Sequence, residues 1–407
     1  MKVNKLLLVL PLVVAGLWGC REMSEPGKDY ESVAGEYFDG EAVAPNSEEG
    51  GEQSQEFAGR VTAGEWSDLD HWLFWSELMT NKQYGQEGTD YTTYSDYWGL
   101  YSNNRVAVHV TDKAGKPLSD AAVTLSRAGG SVLWTARTDN EGDAELWIAF
   151  TQKTEEPDEA TLFLAVNGEK QTVSVSVTHW GEEVKLNNIQ LADASATPVM
   201  CLDVAFIVDA TGSMSDEIDF LKADLENIIN EVAAYETSVK IRTSALFYRD
   251  EGDEYVTRVS DFSNTLSTTT KFIGKQKADG GGDYPEAVHT ALEKGLQELS
   301  WNEDKSMRIA FMLLDAPPHK QDDVILSLQK SIPLYAAKGV RVIPIAASGV
   351  DKPTEFFLRN LAIATDGTYV FLTNDSGVGG DHIEATVGEY KVELLRDIMV
   401  RLIKKYM

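Results

Sequence analysis

The run 202–208, Leu-Asp-Val-Ala-Phe-Ile-Val, is apolar with a single interruption instead of alternating. Such a run marks a strand covered on both faces. After a short turn, Ile218, Leu221, Leu225, Ile228 and Val232 recur at helical spacing. The alternation continues through the rest of the chain. Strands are expected at 240–248, 307–314, 340–346 and 367–372, and helices at 286–298, 322–337, 354–364 and 387–404. Strand and helix in turn predict an α/β fold over residues 199–407. Its sheet should be doubly wound, mainly parallel and Rossmann-like, with ligands at the carboxyl ends of the strands.

The preceding region has a different period. Val106, Val108 and Val110 alternate with Ala107 and His109, and Asp112 to Pro117 supply turn chemistry. Val123 and Leu125, Leu162/Leu164/Val166, and Val173/Val175/Val177 continue the two-residue pattern. Many short strands at even spacing predict a β-sandwich over residues 105–192. The stretch from Val108 through Pro117-Leu118 to Leu125, and then from Thr138 to Leu146, resembles the transthyretin-like, carboxypeptidase-regulatory-like module. That resemblance implies a spacer or docking domain without a catalytic role. The chain is therefore expected to be multidomain.

Lys2 and Lys5 precede an apolar run that reaches Leu17 and carries Pro11. It is shorter than the roughly 20 residues a bilayer span needs. Closing in Leu17-Trp18-Gly19-Cys20, residues 1–20 resemble a bacterial lipoprotein signal peptide. The resemblance implies cleavage before Cys20, its acylation, and attachment to a membrane by lipid alone. An ordinary secretory signal is the alternative, and both export the chain. The expected location is a bacterial cell envelope, at the outer membrane or cell surface. Cys201 is the only other cysteine, so a lipidated Cys20 leaves it without a disulfide partner.

Residues 21–58 carry eleven acids against Arg21 and Lys28 and lack helical or strand period. They read as an acidic, disordered tether extended by self-repulsion. Residues 59–104 are crowded with aromatics, among them Trp66, Trp72, Trp75, Tyr91, Tyr97 and Trp98. Their rings are expected to pack between the flanking domains; a stacking surface for sugars or peptides is the alternative.

The strand at 202–208 ends in Asp209-Ala210-Thr211-Gly212-Ser213, which puts oxygen-bearing side chains at alternate positions. A later strand ends at Leu314-Asp315, and a glycine loop, Gly280-Gly281-Gly282-Asp283, runs into a helix beyond Pro285. Hard divalent cations favour such oxygen donors. Helix capping and turn formation account for the same residue types without a metal.

These motifs, with Tyr248-Arg249-Asp250, Gly281 to Ala287 and Asp315-Ala316-Pro317-Pro318-His319, resemble a von Willebrand factor type A domain. The likeness is to its hemicentin-like and alpha-kinase-associated branch, over residues 199 to about 405. It implies a metal-ion-dependent adhesion site in which Asp209, Thr211, Ser213, Asp283 and Asp315 hold Mg²⁺ or Ca²⁺. An open coordination position would accept an Asp or Glu oxygen from a protein ligand. Asp283 stands where many relatives carry Thr. Three carboxylates over-neutralise a dication, so tight metal binding with a weaker bridged contact is expected. Two rivals stay open: an envelope scaffold with a structural metal, and a glycan-binding surface lipoprotein.

With 36 Lys and Arg against 65 Asp and Glu, the formal net charge is −29. A surface this acidic does not suit nucleic acid, which is gripped by displacing phosphate counterions with Lys and Arg. None of the six histidines forms a HExxH or paired zinc spacing, and no GxSxG or CxxC is present. Gly280-Gly281-Gly282 leads into Asp283 where a phosphate loop carries Gly-Lys-Ser/Thr. Binding rather than catalysis is the expectation.

Overall fold

The computed structural model describes residues 60–80, 91–153, 158–376 and 382–407. Cys20, the signal-like segment and the acidic tether lie outside the described residues. All described residues belong to one compact unit.

The chain enters through strand β1 (Thr62–Trp66) and helices α1 (Trp72–Thr80) and α2 (Tyr91–Trp98). Strands β2 (Arg105–Thr111), β3 (Ala122–Arg127), β4 (Val132–Arg137), β5 (Asp143–Trp147), β6 (Leu162–Val166), β7 (Glu169–Lys170) and β8 (Leu186–Gln190) follow. They form two small sheets, ordered β5-β2-β8 and β4-β3-β6-β7. Val106, Val108 and Val110 of the first share one apolar cluster with Val123, Leu125 and Leu164 of the second.

The remaining chain is strand β9 (Cys201–Asp209), helix α3 (Ser215–Tyr235), β10 (Lys240–Tyr248), β11 (Thr257–Ser263), α4 (Leu266–Ile273) and α5 (Val288–Gln297). It continues through β12 (Met307–Leu314), α6 (Asp322–Lys338), β13 (Val340–Ala346), α7 (Lys352–Ala364), β14 (Tyr369–Leu372), β15 (Glu393–Leu394) and α8 (Leu395–Lys405). Among the described residues these strands and β1 build an eight-stranded sheet, ordered β11-β10-β9-β12-β13-β14-β1-β15. The pairs from β10 to β14 are parallel. β11 pairs antiparallel with β10 at one edge, and at the other β1 pairs antiparallel with both β14 and β15. The fold is α/β with a mainly parallel sheet, as the sequence pattern predicts.

β9 explains why a central strand reads as continuously apolar. Ala205 and Ile207 enter the cluster on one face of the sheet, while Leu202, Val204, Phe206 and Val208 enter that on the other. Truncating a fully buried ring such as Phe206 to alanine costs about 3–5 kcal/mol. Helix ends follow local chemistry. Asp351 caps α7 by accepting the Thr354 N–H at 2.9 Å, and Pro353 sits in the first turn. Gly339 stops α6 in the left-handed region at φ 69°, where a side chain would be strained.

In the aromatic segment 59–104, β1 pairs with β14 and β15 inside the large sheet, and Trp72, Trp75, Tyr91 and Trp98 are buried. Three expectations are corrected. The period-two run from Val173 to Val177 forms no regular strand. There the Asn187 amide accepts from the Ser176 N–H and donates to the Ser176 carbonyl, replacing a strand ladder. The last helix starts at Leu395, not 387, because Glu393 and Leu394 pair with β1 and the Leu395 N–H donates to the Val61 carbonyl at 2.8 Å. The helix after Pro285 starts at Val288, because Glu286 pairs in a short bridge with Pro318. No helix among the described residues is long and apolar enough to cross a membrane.

Candidate functional site

The parallel register sets the site. Tyr248 on β10 stands opposite Asp209, the last residue of β9, and β12 runs beside β9 with Leu313 opposite Val208. Asp209 and the residue just past β12, Asp315, therefore emerge at neighbouring carboxyl ends. Helix α3 begins after a short 3₁₀ turn, Gly212–Met214, which carries Ser213.

The glycine loop is sewn to this turn by its backbone. The Asp279 N–H donates to the Ala210 carbonyl at 3.0 Å, and the Gly212 N–H to the Gly280 carbonyl at 3.2 Å. Buried Arg249 reinforces the seam, donating to the Ala210 carbonyl at 3.0 Å and the Lys277 carbonyl at 2.9 Å. Gly281 is in the left-handed region at φ 72°. A Cβ there would approach Glu286 Oε1 to 3.1 Å and Thr211 Cβ to 3.2 Å, so the bare backbone permits close approach.

Asp209 is fully buried. Its Oδ1 accepts the Thr211 N–H at 2.9 Å and the Thr211 hydroxyl at 2.7 Å, while Oδ2 has no hydrogen-bond partner. Burial, then the Asp315 charge, push its carboxyl up to about 7. Burial also raises Asp315, against the pull of the Ser213 hydroxyl. Of the sequence-derived set, Ser213, Asp283 and Asp315 line one cleft of about 470 Å³, together with Tyr284, Glu286, Ala316, Ser348 and Gly349. Thr211 sits behind that cleft, its hydroxyl turned to Asp209. Asp283 is exposed at the loop.

Two acids escaped the sequence reading. Glu286 is 3% exposed with Oε2 unpartnered. Burial, then Asp209, Asp250, Asp315 and Asp253, push its carboxyl up to about 9. Its N–H donates to the Pro317 carbonyl at 2.9 Å, which ties it to the loop that carries Asp315. Glu217 in the first turn of α3 is also buried with Oε2 unpartnered, and burial and the Asp315 charge push it up to about 7. An acid directly after Asp283-Tyr284-Pro285 and before the apolar Ala287-Val288 was the available signal for Glu286.

Among the described residues, no three His, Cys, Asp or Glu side chains are gathered tightly enough to form a cage for one ion. The donor chemistry nevertheless fits a hard dication. Buried carboxylates carry unpartnered oxygens and raise one another's proton affinity, and a cation relieves that repulsion. Around this centre His319 Nε2 lies 2.6 Å from Asp250 Oδ1, which locks the loop beyond Asp315 to the end of β10.

Comparison with known proteins bears on the fold that carries this cleft. Residues 203–373 match the model of the von Willebrand factor A domain. The chain is 33% identical over 122 residues to an ariadne-like RING finger protein of Acanthamoeba polyphaga mimivirus, covering 30% of this chain and 12% of that protein. It is 29% identical over 190 residues to the alpha-protein kinase vwkA of Dictyostelium discoideum, covering 46% of this chain and 30% of that one. The chain thus spans less than a third of either relative. Strand order, the acids at the strand ends and the matched residues lead to one conclusion: residues 203–373 are a von Willebrand factor A domain.

Proposed function

We propose that this chain is an exported, lipid-anchored binding protein whose von Willebrand factor A domain captures a protein ligand through a divalent cation. A domain of this family suggests adhesion or protein–protein interaction. The observation that carries the cation reading is the buried acid group beside Asp315: Glu286 Oε2 lacks a partner, and Asp209 Oδ2 makes no well-formed hydrogen bond, the buried Tyr248 hydroxyl being the polar group next to that carboxylate. In this reading Asp209, Asp315 and Glu286 supply carboxylate oxygens and Thr211 and Ser213 hydroxyls. Asp283 stands at the mouth, where it faces the incoming ligand.

Mg²⁺ or Ca²⁺ would neutralise the group, and an Asp or Glu carboxylate of the partner would complete the coordination. Three buried acids already offset a dication, so the bridged contact alone is weak and the partner must gain affinity from the surrounding rim. The sequence carries no HExxH, GxSxG or CxxC motif, and the likeness to a kinase spans too little of that protein to import its activity. Export and acylation at Cys20 rest on the N-terminal pattern, and the acidic surface argues against nucleic acid.

The test is capture of envelope proteins by the full chain with Mg²⁺, with EDTA, and with Asp209→Ala. Capture lost in the last two supports cation-bridged recognition. Capture that survives both points to docking through the N-terminal sheets. Labelling with a palmitate analogue, absent in Cys20→Ala, tests the anchor.

A further inference from the structure

We propose that α2, which lies outside the matched domain, is a positioning element for the cation cleft and acts through Trp98. The proposal rests on the cleft reading above and deepens it. Trp98 is 2% exposed, and its indole N–H donates to the Pro353 carbonyl at 2.7 Å across 255 residues of sequence. Its ring packs on Phe357 of α7 at 5.3 Å, so the tryptophan grips the first turns of that helix.

From there a continuous chain of contacts reaches the cleft. Asp351, the cap of α7, donates its N–H to the Tyr284 hydroxyl at 3.1 Å. That hydroxyl donates to the Gly349 carbonyl at 3.0 Å. Tyr284 and Gly349 both line the cleft, and Tyr284 belongs to the loop between Asp283 and Glu286. One phenol thus latches the glycine loop to the loop after β13, and Trp98 holds the far end of that second loop.

A second route starts from the same end of α2. Lys320 places its ammonium 4.6 Å from the Tyr97 ring centre and 5.8 Å from that of Trp98. Tyr97 stands edge-on to Trp98 at 4.9 Å. Lys320 follows His319, in the loop that begins at Asp315. The Gly99 carbonyl, one residue beyond α2, accepts from Gln329 of α6 at 3.0 Å, which fixes the helix end itself. Of the four loops around the cleft, the one after β12 touches the Tyr97–Trp98 pair and the one after β13 is held where it enters α7; Tyr284 links in the glycine loop, which is itself bonded to the turn that carries Ser213. Cation sites depend on donors held in place by such supporting contacts.

The experiment compares Trp98→Phe, which keeps an apolar ring and removes the N–H donor, with Trp134→Phe, a buried tryptophan of β4 in the small sheets. Mn²⁺ is the probe, titrated into the full chain and followed by electron paramagnetic resonance. Amide exchange at Gly349, Asp351 and residues 279–284 is measured alongside. Trp98→Phe should weaken Mn²⁺ binding about fivefold, the worth of one hydrogen bond, and speed exchange at those amides. Trp134→Phe should alter neither, whatever it does to the melting temperature.

Equal effects from the two variants, or unchanged exchange in Trp98→Phe, would overturn the proposal. Should Trp98→Phe not fold, Tyr284→Phe breaks the same chain at a half-exposed position and is held to the same outcomes. Should the unmodified chain bind no Mn²⁺, the cation reading fails. Exchange alone then decides whether α2 positions the loops.

Discussion

Arg359 of α7 spreads its guanidinium over both carboxylate oxygens of Asp68, with Nε 2.8 Å from Oδ2 and Nη2 2.5 Å from Oδ1, across 291 residues of sequence. Both side chains are buried. Asp68 also accepts the Trp66 indole N–H at 3.0 Å, and Arg359 donates to the Thr386 carbonyl at 2.6 Å between the rings of Trp75 and Tyr91. This pair binds the N-terminal segment and the stretch before α8 to one helix of the A domain.

Removing one member of a buried ion pair strands the other, at a cost of about 3–5 kcal/mol. Asp68→Ala should lose that much in urea unfolding. Glu355, 3.7 Å from Arg359, already serves Lys352 and the Thr386 N–H and substitutes for little of it. Replacing both members, Asp68→Leu with Arg359→Met, should recover most of the loss. A loss below about 1 kcal/mol in Asp68→Ala would show that the segment is not held here.

A second buried junction sets an acid limit on stability. Asp120 accepts from Arg137 Nε at 2.5 Å, Arg308 Nη1 at 2.9 Å and the Ser306 N–H at 3.0 Å, joining the small sheets to β12. Burial pushes its carboxyl up, but the hydrogen bonds and charges of Arg137 and Arg308 outweigh that and hold it below the usual range. A depressed acid binds fewer protons folded than unfolded. Its contribution is present above the unfolded value of about 4 and disappears as pH falls through the folded one. Urea midpoints should therefore drop below about pH 4. Asp120→Asn should lose about 2 kcal/mol at pH 7 and flatten that acid limb.

What the sequence made legible follows from where each signal originates. β9, β12 and β13 are covered on both faces, so burial wrote itself into continuous apolar runs. β1 left no such mark: Thr62-Ala63-Gly64-Glu65-Trp66 is a strand only because β14 and β15, some 300 residues on, take it between them. The strand-end acids Asp209 and Asp315 were readable because their strands were. Glu286 was not, because Pro285 before it looks like the first turn of a helix. Its bridge to Pro318 is a tertiary pairing that no local pattern encodes. Asp283, more conspicuous in sequence, turns out to be exposed at the cleft mouth.

That contrast between Glu286 and Asp283 can be measured. A dication present at a hundred times its dissociation constant stabilises the folded state by about 2.7 kcal/mol. For a domain of this size that amounts to roughly 5–10 °C in melting temperature. Mg²⁺ should raise the unmodified chain by that order, and Asp209→Ala should abolish the gain. With its carboxyl pushed up to about 9, Glu286 must take up a proton to fold near pH 7 without metal; Glu286→Gln removes that cost, so it should melt higher than the unmodified chain without metal yet gain little from Mg²⁺. Asp283→Thr should retain most of the gain. If Asp283→Thr loses the response and Glu286→Gln keeps it, the exposed loop acid is the ligand and the buried one is not.

Asn187 offers the sharpest check on why the run 173–177 fails to pair. Its side chain accepts the Ser176 N–H at 2.8 Å and donates to the carbonyls of Ser176 and Ala107, both at 2.9 Å, so one amide stands in for two ladder bonds between β8 and the run beside it and also holds β2. Val175 and Val177 stay buried on the inner side of the run, while Val173 and Ser174 are exposed. Asn187→Ala leaves the backbone groups of Ser176 and the Ala107 carbonyl without these partners. The expected cost is about 2–3 kcal/mol, since each buried polar group left unsatisfied costs about 1–3 kcal/mol and water reaches the half-buried Ser176. Amide exchange at Ser176 should rise well ahead of exchange in β2. Mg²⁺ stabilisation, which depends on the far sheet, should be unchanged. Were Ser176 to remain protected in Asn187→Ala, the run would be finding backbone partners unaided, and the amide would not be what displaces the ladder.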